Sequence, residues 1–285
     1  MKLKLGLIGI SIAASRAPFL HQKLGSIYGA EVTYDLNDPQ ENSVDAFADT
    51  LQRLRQEGYT GCNVTYPFKQ LAMQFVDTAD AAATTVGATN TLYFANGEVF
   101  ATNTDYSGFI HGYRHRRSDK PAGTTLLIGA GGVGRAVAFG LYQVGGTKTY
   151  IFDLNEAGAQ SLADALNNAG YLAEVITADQ LPSIAKSVDG LVNCTPIGHL
   201  KSPGNPLDAN LFGGQSWAFD AVYTPMDTEF LQAAHSAGLD LVSGFDLFYY
   251  QGIDAYQTFS QSKIDPLIAL EPFKKEFNIH SDLID

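Results

Sequence analysis

Short apolar runs alternate with longer segments of helical periodicity through the first third of the chain. The apolar runs cover residues 4–9, 31–36 and 61–66, and the helical segments cover a stretch after Pro18, residues 43–57 and residues 69–75. Turn residues bound each run, and apolar positions in the longer segments recur at the spacing of one helix face. This alternation is typical of βαβ units and predicts a mostly parallel sheet.

A tight turn follows this alternation. Residues 91–94 and 98–102 are both strand-like, and the pair Asn96-Gly97 lies between them. Asn-Gly suits the positive φ angles of a two-residue hairpin turn. We therefore expect an antiparallel hairpin that closes the first unit.

A second alternation begins after the polar stretch 116–123. Its apolar runs cover residues 124–128, 149–153, 174–177, 190–195, 217–223 and 239–243. Such a series predicts a doubly wound, Rossmann-type nucleotide-binding domain. The remainder of the chain returns to helical periodicity, with an apolar face formed by Phe245, Phe248, Tyr249, Ile253, Tyr256 and Phe259.

The two patterns together predict an α/β fold of two domains. The first is an N-terminal α/β substrate domain of residues 1–105, on which we expect the C-terminal helices of residues 246–285 to pack back. The second is a Rossmann-type nucleotide-binding domain of residues 106–245. A chain of 285 residues has room for both, because single domains commonly contain about 100–200 residues.

Composition narrows the choice of partners. The net charge of −12 makes nucleic acid and anionic membranes poor partners, because an acidic surface repels phosphate groups. Cys62 and Cys194 each lie inside an apolar run, which suits buried thiols in a reducing compartment. The apolar stretch at residues 3–14 is shorter than the roughly 20 residues of a membrane span. We therefore expect a cytoplasmic protein that does not bind membranes.

A glycine-rich turn opens the second alternation. The strand at residues 125–128 leads into it, and a helix from Arg135 follows. The turn consists of Gly129, Ala130, Gly131, Gly132, Val133 and Gly134. Gly129 permits a tight turn, Gly131 lets the backbone approach a pyrophosphate, and Gly134 allows close packing of the helix, whose N-terminus attracts phosphate. The sequence therefore predicts a dinucleotide site here.

Asp153 refines this prediction. It ends the next strand, nineteen residues after Gly134, where a carboxylate accepts hydrogen bonds from the adenosine ribose hydroxyls. It would repel the 2′-phosphate of NADP, and the following residues 154–156 supply no arginine to hold that phosphate. We therefore expect NAD as the cofactor.

Polar side chains also gather at strand ends and helix starts of the first unit. They occupy residues 15–18, 63–69, 87–91 and 103–105. In a parallel sheet such segments meet at the carboxyl ends of the strands, where ligands commonly bind. We expect no metal, because the six histidines form no ligand cluster apart from His111 and His115, which lie among arginines.

At this point the chain resembles the shikimate dehydrogenase family, most closely its NAD-dependent quinate/shikimate dehydrogenases. The motifs that carry the resemblance occur in the family's order over nearly the whole chain. They are NVTxPxK at residues 63–69, GAxNT at 87–91, NTD at 103–105, GAGGxxR at 129–135, NxTPxG at 193–198 and a late helix bearing Gln251.

The resemblance implies a role for each matching residue. It makes Lys69 and Asp105 the catalytic pair. It assigns substrate hydroxyls and the substrate carboxylate to Ser15, Thr65, Asn90, Tyr223 and Gln251. It also adds Thr195, Pro196, Val222 and Gly244 to the cofactor site. The chemistry agrees, because hydride leaves a carbinol carbon only as a nearby group accepts the hydroxyl proton. Which of the pair accepts that proton first stays open.

Two departures from the family pattern affect the substrate. The family holds the substrate carboxylate with two hydroxyl side chains, but Ala17 replaces the second of them and Ala14 replaces a preceding histidine. Arg16, Tyr249, Tyr250 or a water molecule are the available substitutes. The expected substrate is a carboxylated cyclic polyol, shikimate or quinate, and the resemblance makes a homodimer plausible. The alternatives are a dehydrogenase of another cyclic polyol and a non-catalytic ligand sensor.

Overall fold

A computed structural model describes residues 1–277 and 279–284. Contacts divide the chain into two compact units. Unit 1 contains residues 1–108 and 249–277, and unit 2 contains residues 109–248 and 279–284. Both boundaries fall inside helices, three residues beyond the boundaries expected at 105/106 and 245/246.

The C-terminal tail differs from its expected place with the first domain. Residues 279–284 belong to unit 2. The reason is local, because Ser281 hydroxyl and the Asp282 amide both donate to Asp227. Leu283 and Ile284 also pack against the core of unit 2.

The strands and helices have the following bounds. The strands of unit 1 are β1 (Lys2–Ile8), β2 (Glu31–Asn37), β3 (Gly61–Val64), β4 (Thr78–Ala79), β5 (Thr91–Ala95) and β6 (Glu98–Thr102). The strands of unit 2 are β7 (Gly123–Ile128), β8 (Gly146–Phe152), β9 (Ala173–Val175), β10 (Gly190–Asn193), β11 (Trp217–Asp220) and β12 (Asp240–Ser243). The helices are α1 (Ala17–Tyr28), α2 (Val44–Gln56), α3 (Ala81–Val86), α4 (Thr104–Arg117), α5 (Gly132–Gln143), α6 (Glu156–Asn168), α7 (Leu181–Ala185), α8 (Glu229–Ser236), α9 (Gly244–Ser260) and α10 (Pro266–Glu276).

Unit 1 contains a mixed sheet with the strand order β2-β1-β3-β5-β6-β4. The first three strands are parallel, whereas β5 runs antiparallel to both β3 and β6. The predicted hairpin is confirmed, because Asn96 and Gly97 both adopt positive φ between β5 and β6. The helix predicted at residues 69–75 is a 3₁₀ turn at Leu71–Phe75 instead, since little chain remains there before β4 begins.

Unit 2 contains a wholly parallel sheet with the order β12-β11-β10-β7-β8-β9. Counted within the unit, this order is 6-5-4-1-2-3, the doubly wound order of dinucleotide-binding domains. The near-continuous apolar strands are buried, as they must be when helices cover both faces of a parallel sheet. The prediction of an α/β fold with a Rossmann-type domain is confirmed.

The aromatic face of α9 is core. Tyr249, Tyr256 and Phe259 are almost fully buried, as are Phe273 of α10 and His21 of α1 in the same unit. The C-terminal helices of unit 1 therefore pack on the substrate domain, as expected. No helix in the described part of the chain is both long and apolar enough to cross a bilayer.

Candidate active site

Three of the polar segments predicted in unit 1 lie together at one edge of its sheet. Asn63 at the end of β3 lies opposite Thr91, which in turn lies opposite Thr102 at the end of β6. Since β5 is antiparallel to its neighbours, its first residues share this edge with the carboxyl ends of β3 and β6. The sheet therefore brings the segments after Val64, before Thr91 and after Thr102 to one place.

Lys69 and Asp105 form an ion pair at this edge. The Lys69 Nζ lies 2.6 Å from Asp105 Oδ2, and the two side chains are 11% and 9% exposed. The Lys69 carbonyl accepts the Thr89 amide, and Asp105 lies in the first turn of α4. Both partners are anchored through backbone elements, so the pair is a fixed feature of the site.

Asn90 organises the polar groups beside this pair. Its Oδ1 accepts the Thr104 amide at 2.7 Å, which ties it to the start of α4. Its Nδ2 donates to Thr104 Oγ1 at 3.0 Å and to Gln251 Oε1 at 3.5 Å. Asn90 is buried. Because its Oδ1 must accept the Thr104 amide, its side-chain amide can adopt only one orientation here. The structure thus joins Asn90 and Gln251 with the helix that carries Asp105.

Gln251 reaches this network because Gly108 permits a close helix crossing. A Cβ at position 108 would lie only 2.5 Å from the backbone amide nitrogen of Gln251. Ser107, one residue earlier, hydrogen-bonds the Asp254 carboxylate. The crossing of α4 and α9 therefore sets the position of the Gln251 side chain within unit 1.

Sequence reasoning missed the buried side chains, Tyr34 and His21, that pack behind Asn90 and Asn63. Asn63 donates from Nδ2 to the Asn90 carbonyl at 3.2 Å and accepts the Tyr34 hydroxyl at 2.8 Å. The buried His21 stacks on the Tyr34 ring, with 5.0 Å between the ring centroids. Tyr34 and His21 lie in an ordinary strand and an ordinary helix, so no local motif points to them.

Thr65 and Ser15 lie on loops after β3 and β1. The Thr65 amide donates to the Ile8 carbonyl, and the Ser15 Oγ accepts the Ala17 amide at 3.3 Å. Both side chains are half-buried. Among the described residues, neither side chain hydrogen-bonds Lys69 or Asp105, so their substrate roles remain predictions.
 
The suggested substitutes for the missing hydroxyl differ in what they contact. The Tyr249 hydroxyl donates to the Pro266 carbonyl at 2.5 Å and its side chain is buried. The Arg16 guanidinium lies over the Phe277 ring at 5.8 Å. Tyr250 packs edge-on against Tyr249. Tyr249 is therefore committed to the core, and Ser15 is the hydroxyl that remains in the segment.

The cofactor candidates of unit 2 follow a row of aligned strand ends. In the sheet register, Phe152, Ile128, Asn193, Asp220 and Ser243 lie side by side. Each predicted cofactor segment begins immediately after one of them. The parallel sheet alone therefore explains why residues distant in sequence share the carboxyl edge where nucleotides bind in such folds.

The glycine turn has the geometry that a dinucleotide requires. Gly129 has a φ of 99°, and a Cβ there would collide with the backbone at Cys194. A Cβ at Gly134 would collide with the Gly129 carbonyl, whereas a Cβ at Gly131 would meet only open space. The Asp153 Oδ2 accepts the Ala130 amide at 2.6 Å, which places the carboxylate at the turn. These residues fit a nicotinamide dinucleotide.

The remaining candidates of unit 2 line the same edge. Thr195 donates to Asn193 Oδ1 from its amide and its hydroxyl, and Pro196 follows it. Gly244 begins α9 so close to the Ala221 carbonyl that a side chain would collide. Tyr223, predicted to bind substrate, stacks on Phe248 at 4.8 Å. Val222 is buried beside it.

Among the described residues, no group of three or more His, Cys, Asp or Glu is arranged to hold a metal ion. A doubly wound unit with a glycine turn and a carboxylate bonded to that turn, in one chain with a paired lysine and aspartate, defines a class of protein. That class is the dinucleotide-dependent oxidoreductases.

Comparison with known proteins narrows the class. The family model "Shikimate dehydrogenase substrate binding domain" matches residues 7–92. The shikimate dehydrogenase (NADP(+)) of Pseudarthrobacter chlorophenolicus is 33% identical over 92% of this chain and 90% of its own. The quinate/shikimate dehydrogenase (NAD(+)) of Corynebacterium glutamicum strain R is 34% identical over 90% and 92%.

A solved structure agrees with these relatives. Quinate dehydrogenase from Corynebacterium glutamicum in complex with NAD has a TM-score of 0.89 and 32% identity, over 96% of this chain and 99% of that one. The chain belongs to the shikimate dehydrogenase family. Its relatives are oxidoreductases that use NAD or NADP, so a nicotinamide cofactor is supported for this chain as well.

Proposed function

We propose that the protein oxidises a ring hydroxyl of a carboxylated cyclic polyol, quinate or shikimate, with NAD as hydride acceptor. The observation that carries the proposal is the Lys69–Asp105 ion pair, at 2.6 Å and about nine-tenths shielded from solvent. Isolated surface pairs of this kind are common and weak. This pair instead lies at the sheet edge that also contains Asn90 and Gln251, which hydrogen-bond each other and would bind the substrate.

The pair supplies the proton chemistry of the reaction. As hydride leaves the carbinol carbon for the nicotinamide ring, the hydroxyl proton needs an acceptor within hydrogen-bond reach. Lys69 Nζ and Asp105 Oδ2 share one hydrogen bond, so a proton taken at either atom is stabilised by the other. Asn90, whose orientation is fixed by Thr104, would hold a neighbouring substrate hydroxyl.

The preference for NAD rests on Asp153. Its carboxylate lies at the glycine turn, bound to the Ala130 amide, while its Oδ1 accepts the Asn155 amide at 2.8 Å. A negative charge so placed favours two ribose hydroxyls over a 2′-phosphate. No arginine follows it in Leu154, Asn155 or Glu156.

A second candidate function follows from the residues available to bind the substrate carboxylate. Ser15 is available there, but Ala17 offers no hydroxyl and Tyr249 is committed to Pro266. A buried charge-assisted hydrogen bond contributes about 1.5–3 kcal/mol. This loss favours, as the second candidate, a dehydrogenase of another cyclic polyol that lacks the carboxylate.

A cytoplasmic location forms part of the proposal. Cys62 and Cys194 are both free thiols, and burial raises the pKa of each above its usual range. Unpaired, unreactive thiols suit a reducing compartment.

Replacing Lys69 tests the catalytic role. We expect Lys69→Ala to lower kcat by roughly 10²–10⁴-fold, because a positioned acid–base group contributes about that much. NAD affinity should stay within twofold of the parent, since the predicted cofactor residues lie on other segments. Stopped-flow and steady-state rates measure the first effect, and a binding titration measures the second. Lys2→Ala, which removes the exposed Lys2–Glu31 pair, is the control, and an unchanged kcat for Lys69→Ala removes Lys69 from the mechanism.

Replacing Asp153 tests the cofactor preference. Asp153→Ala should weaken NAD binding about tenfold or more, because the ribose hydroxyls lose their acceptor, and should leave NADP binding equal or tighter. Calorimetric titration with each nucleotide measures both. Asp164→Ala, on the exposed face of α6, is the matched control. Equal weakening of both nucleotides would contradict the ribose assignment.

A further inference from the structure

Asp220 is a buried carboxylate for which the proposed reaction has no direct use. It ends β11 and is 0% exposed. We propose that Asp220 is a positioning residue, which holds the loop after β10 and the backbone at Val222 in the shape that binds the nicotinamide cofactor. The inference rests on the proposed function, because it concerns the same cofactor site.

Three donors converge on this carboxylate. Its Oδ1 accepts the Asn193 side-chain amide at 2.9 Å and the Val222 backbone amide at 3.0 Å. Its Oδ2 accepts the Thr228 hydroxyl at 2.5 Å. A carboxylate with three donors from three segments ties those segments together. Two of the segments contain predicted cofactor residues, and the third begins α8.

Asn193 transmits this constraint to the cofactor loop. Its Oδ1 accepts both the amide and the hydroxyl of Thr195, at 3.0 and 2.7 Å. Its Nδ2 donates to the Ile197 carbonyl at 3.0 Å as well as to Asp220. Because the charged form of the Asp220 carboxylate can only accept, it forces the Nδ2 of Asn193 to face it and leaves Oδ1 for Thr195. The amide orientation, and with it the loop, depends on the carboxylate.

Thr228 connects the same carboxylate to α8. Its hydroxyl donates to Asp220 and accepts the Leu231 amide at 3.2 Å, which makes it the N-cap of the helix. A Cβ at Gly198, the last residue of the NxTPxG motif, would lie 3.8 Å from Asp220 Oδ2. Asn193 and Gly198, the first and last residues of the motif, therefore both lie close to the carboxylate.

The charge of Asp220 changes near neutral pH. Burial raises its pKa from 3.8 to about 7, although the three hydrogen bonds favour the charged form. Three ionisable groups on the adjoining segments are already neutral or paired. They are Cys194, whose thiol is neutral because burial raises its pKa, Asp246, which is paired with Arg116, and Asp227, which accepts from the C-terminal tail. The other ionisable groups there are the exposed Lys201 and Glu229 and the half-buried His199 and Tyr223. Below neutral pH, Asp220 carries a proton and loses an acceptor position, so the loop should hold the cofactor less well.

A direct NAD titration, without polyol, tests the inference. We expect the Kd of the parent protein to rise about tenfold as pH falls from 8 to 6. Asp220→Asn should bind NAD about tenfold more weakly at pH 8, with no further change at pH 6. At saturating NAD, kcat and the KM for the polyol should remain within about twofold of the parent values.

Thr228 supplies a second pair of variants, and thermal unfolding checks that each variant folds. Thr228→Ser keeps the hydroxyl and should bind NAD as the parent does, whereas Thr228→Val removes it and should bind more weakly. Parent-like NAD binding by both Asp220→Asn and Thr228→Val would overturn the inference alone. Failure of the parent protein to bind NAD at any pH would instead overturn the proposed function, and the inference with it.

Discussion

His21 shows how far burial controls a single residue beneath the candidate site. It is 1% exposed, and its Nδ1 has no hydrogen-bond partner among the described residues. Loss of solvation lowers the pKa of the imidazole from 6.5 to about 3, against a smaller opposing effect of the Asn63 hydrogen bond. His21 is therefore neutral throughout the range in which the enzyme is expected to work.

This pKa predicts a pH dependence of stability. Since the folded-state pKa is lowered, the contribution of His21 is complete above pH 6.5 and is lost as pH falls from 6.5 towards 3. The loss amounts to about 1.4 kcal/mol for each pH unit in that window. Urea unfolding at pH 7.5 and 5.0 should show a smaller drop for His21→Gln than for the parent. His280→Gln, at an exposed histidine, should track the parent, and identical drops in all three proteins would refute the prediction.

The residues of the site differ in how far sequence alone could find them. Lys69, Asp105 and Asn90 stand in short motifs with a fixed order, so the motifs could predict them. Tyr34 and Asp220 act through hydrogen bonds to residues about thirty positions away, and each is surrounded by an ordinary strand pattern. Only the register of the sheet reveals what they touch.

At the level of elements, the crossing of α4 and α9 within unit 1 is the feature that positions Gln251. Gly108 faces the backbone of α9 at that point, and a side chain there has no room. Ser107 and Asp254 hydrogen-bond across the same crossing. Close packing therefore explains why position 108 is glycine, since glycine in a helix interior otherwise lowers the free energy of unfolding by about 1 kcal/mol relative to alanine.

Gly108→Ala tests this crossing. The added Cβ would lie 2.5 Å from the backbone amide nitrogen of Gln251, so α9 must shift. We expect kcat/KM for the polyol to fall about tenfold and the free energy of unfolding to fall by about 1–3 kcal/mol. Gly158→Ala, in α6, meets only the end of the Asn155 side chain, so it should leave kcat/KM unchanged and should not lower the free energy of unfolding. A variant at position 108 with parent kinetics would show that the crossing does not position Gln251.

Elements were predictable where a local pattern sufficed. The hairpin at Asn96-Gly97 and the strand, turn and helix around Gly129 follow from nearest neighbours in sequence. The segment at Leu71–Phe75 has helical periodicity yet forms a 3₁₀ turn, because the Thr65 and Lys69 backbone bonds hold its start and β4 soon follows. Periodicity contains no information about such tethers.

For the whole molecule, the order of motifs over nearly the full chain identified the family, and the two sheets place the corresponding residues at their carboxyl edges. The substrate was harder to predict. In the proposed function, specificity for an acid depends on one or two hydroxyl side chains, and Ala17 offers no hydroxyl. An alanine at position 17 leaves the fold and the order of the motifs unchanged, since it alters only which ligand groups the site would bind.

Steady-state reduction of NAD and NADP with quinate, shikimate and uncharged cyclic polyols is the most direct test of the central claim. The account predicts that NAD is reduced with quinate or shikimate, and that kcat/KM with NAD exceeds that with NADP. Binding of NAD without turnover of either acid, or a preference for NADP, would contradict it.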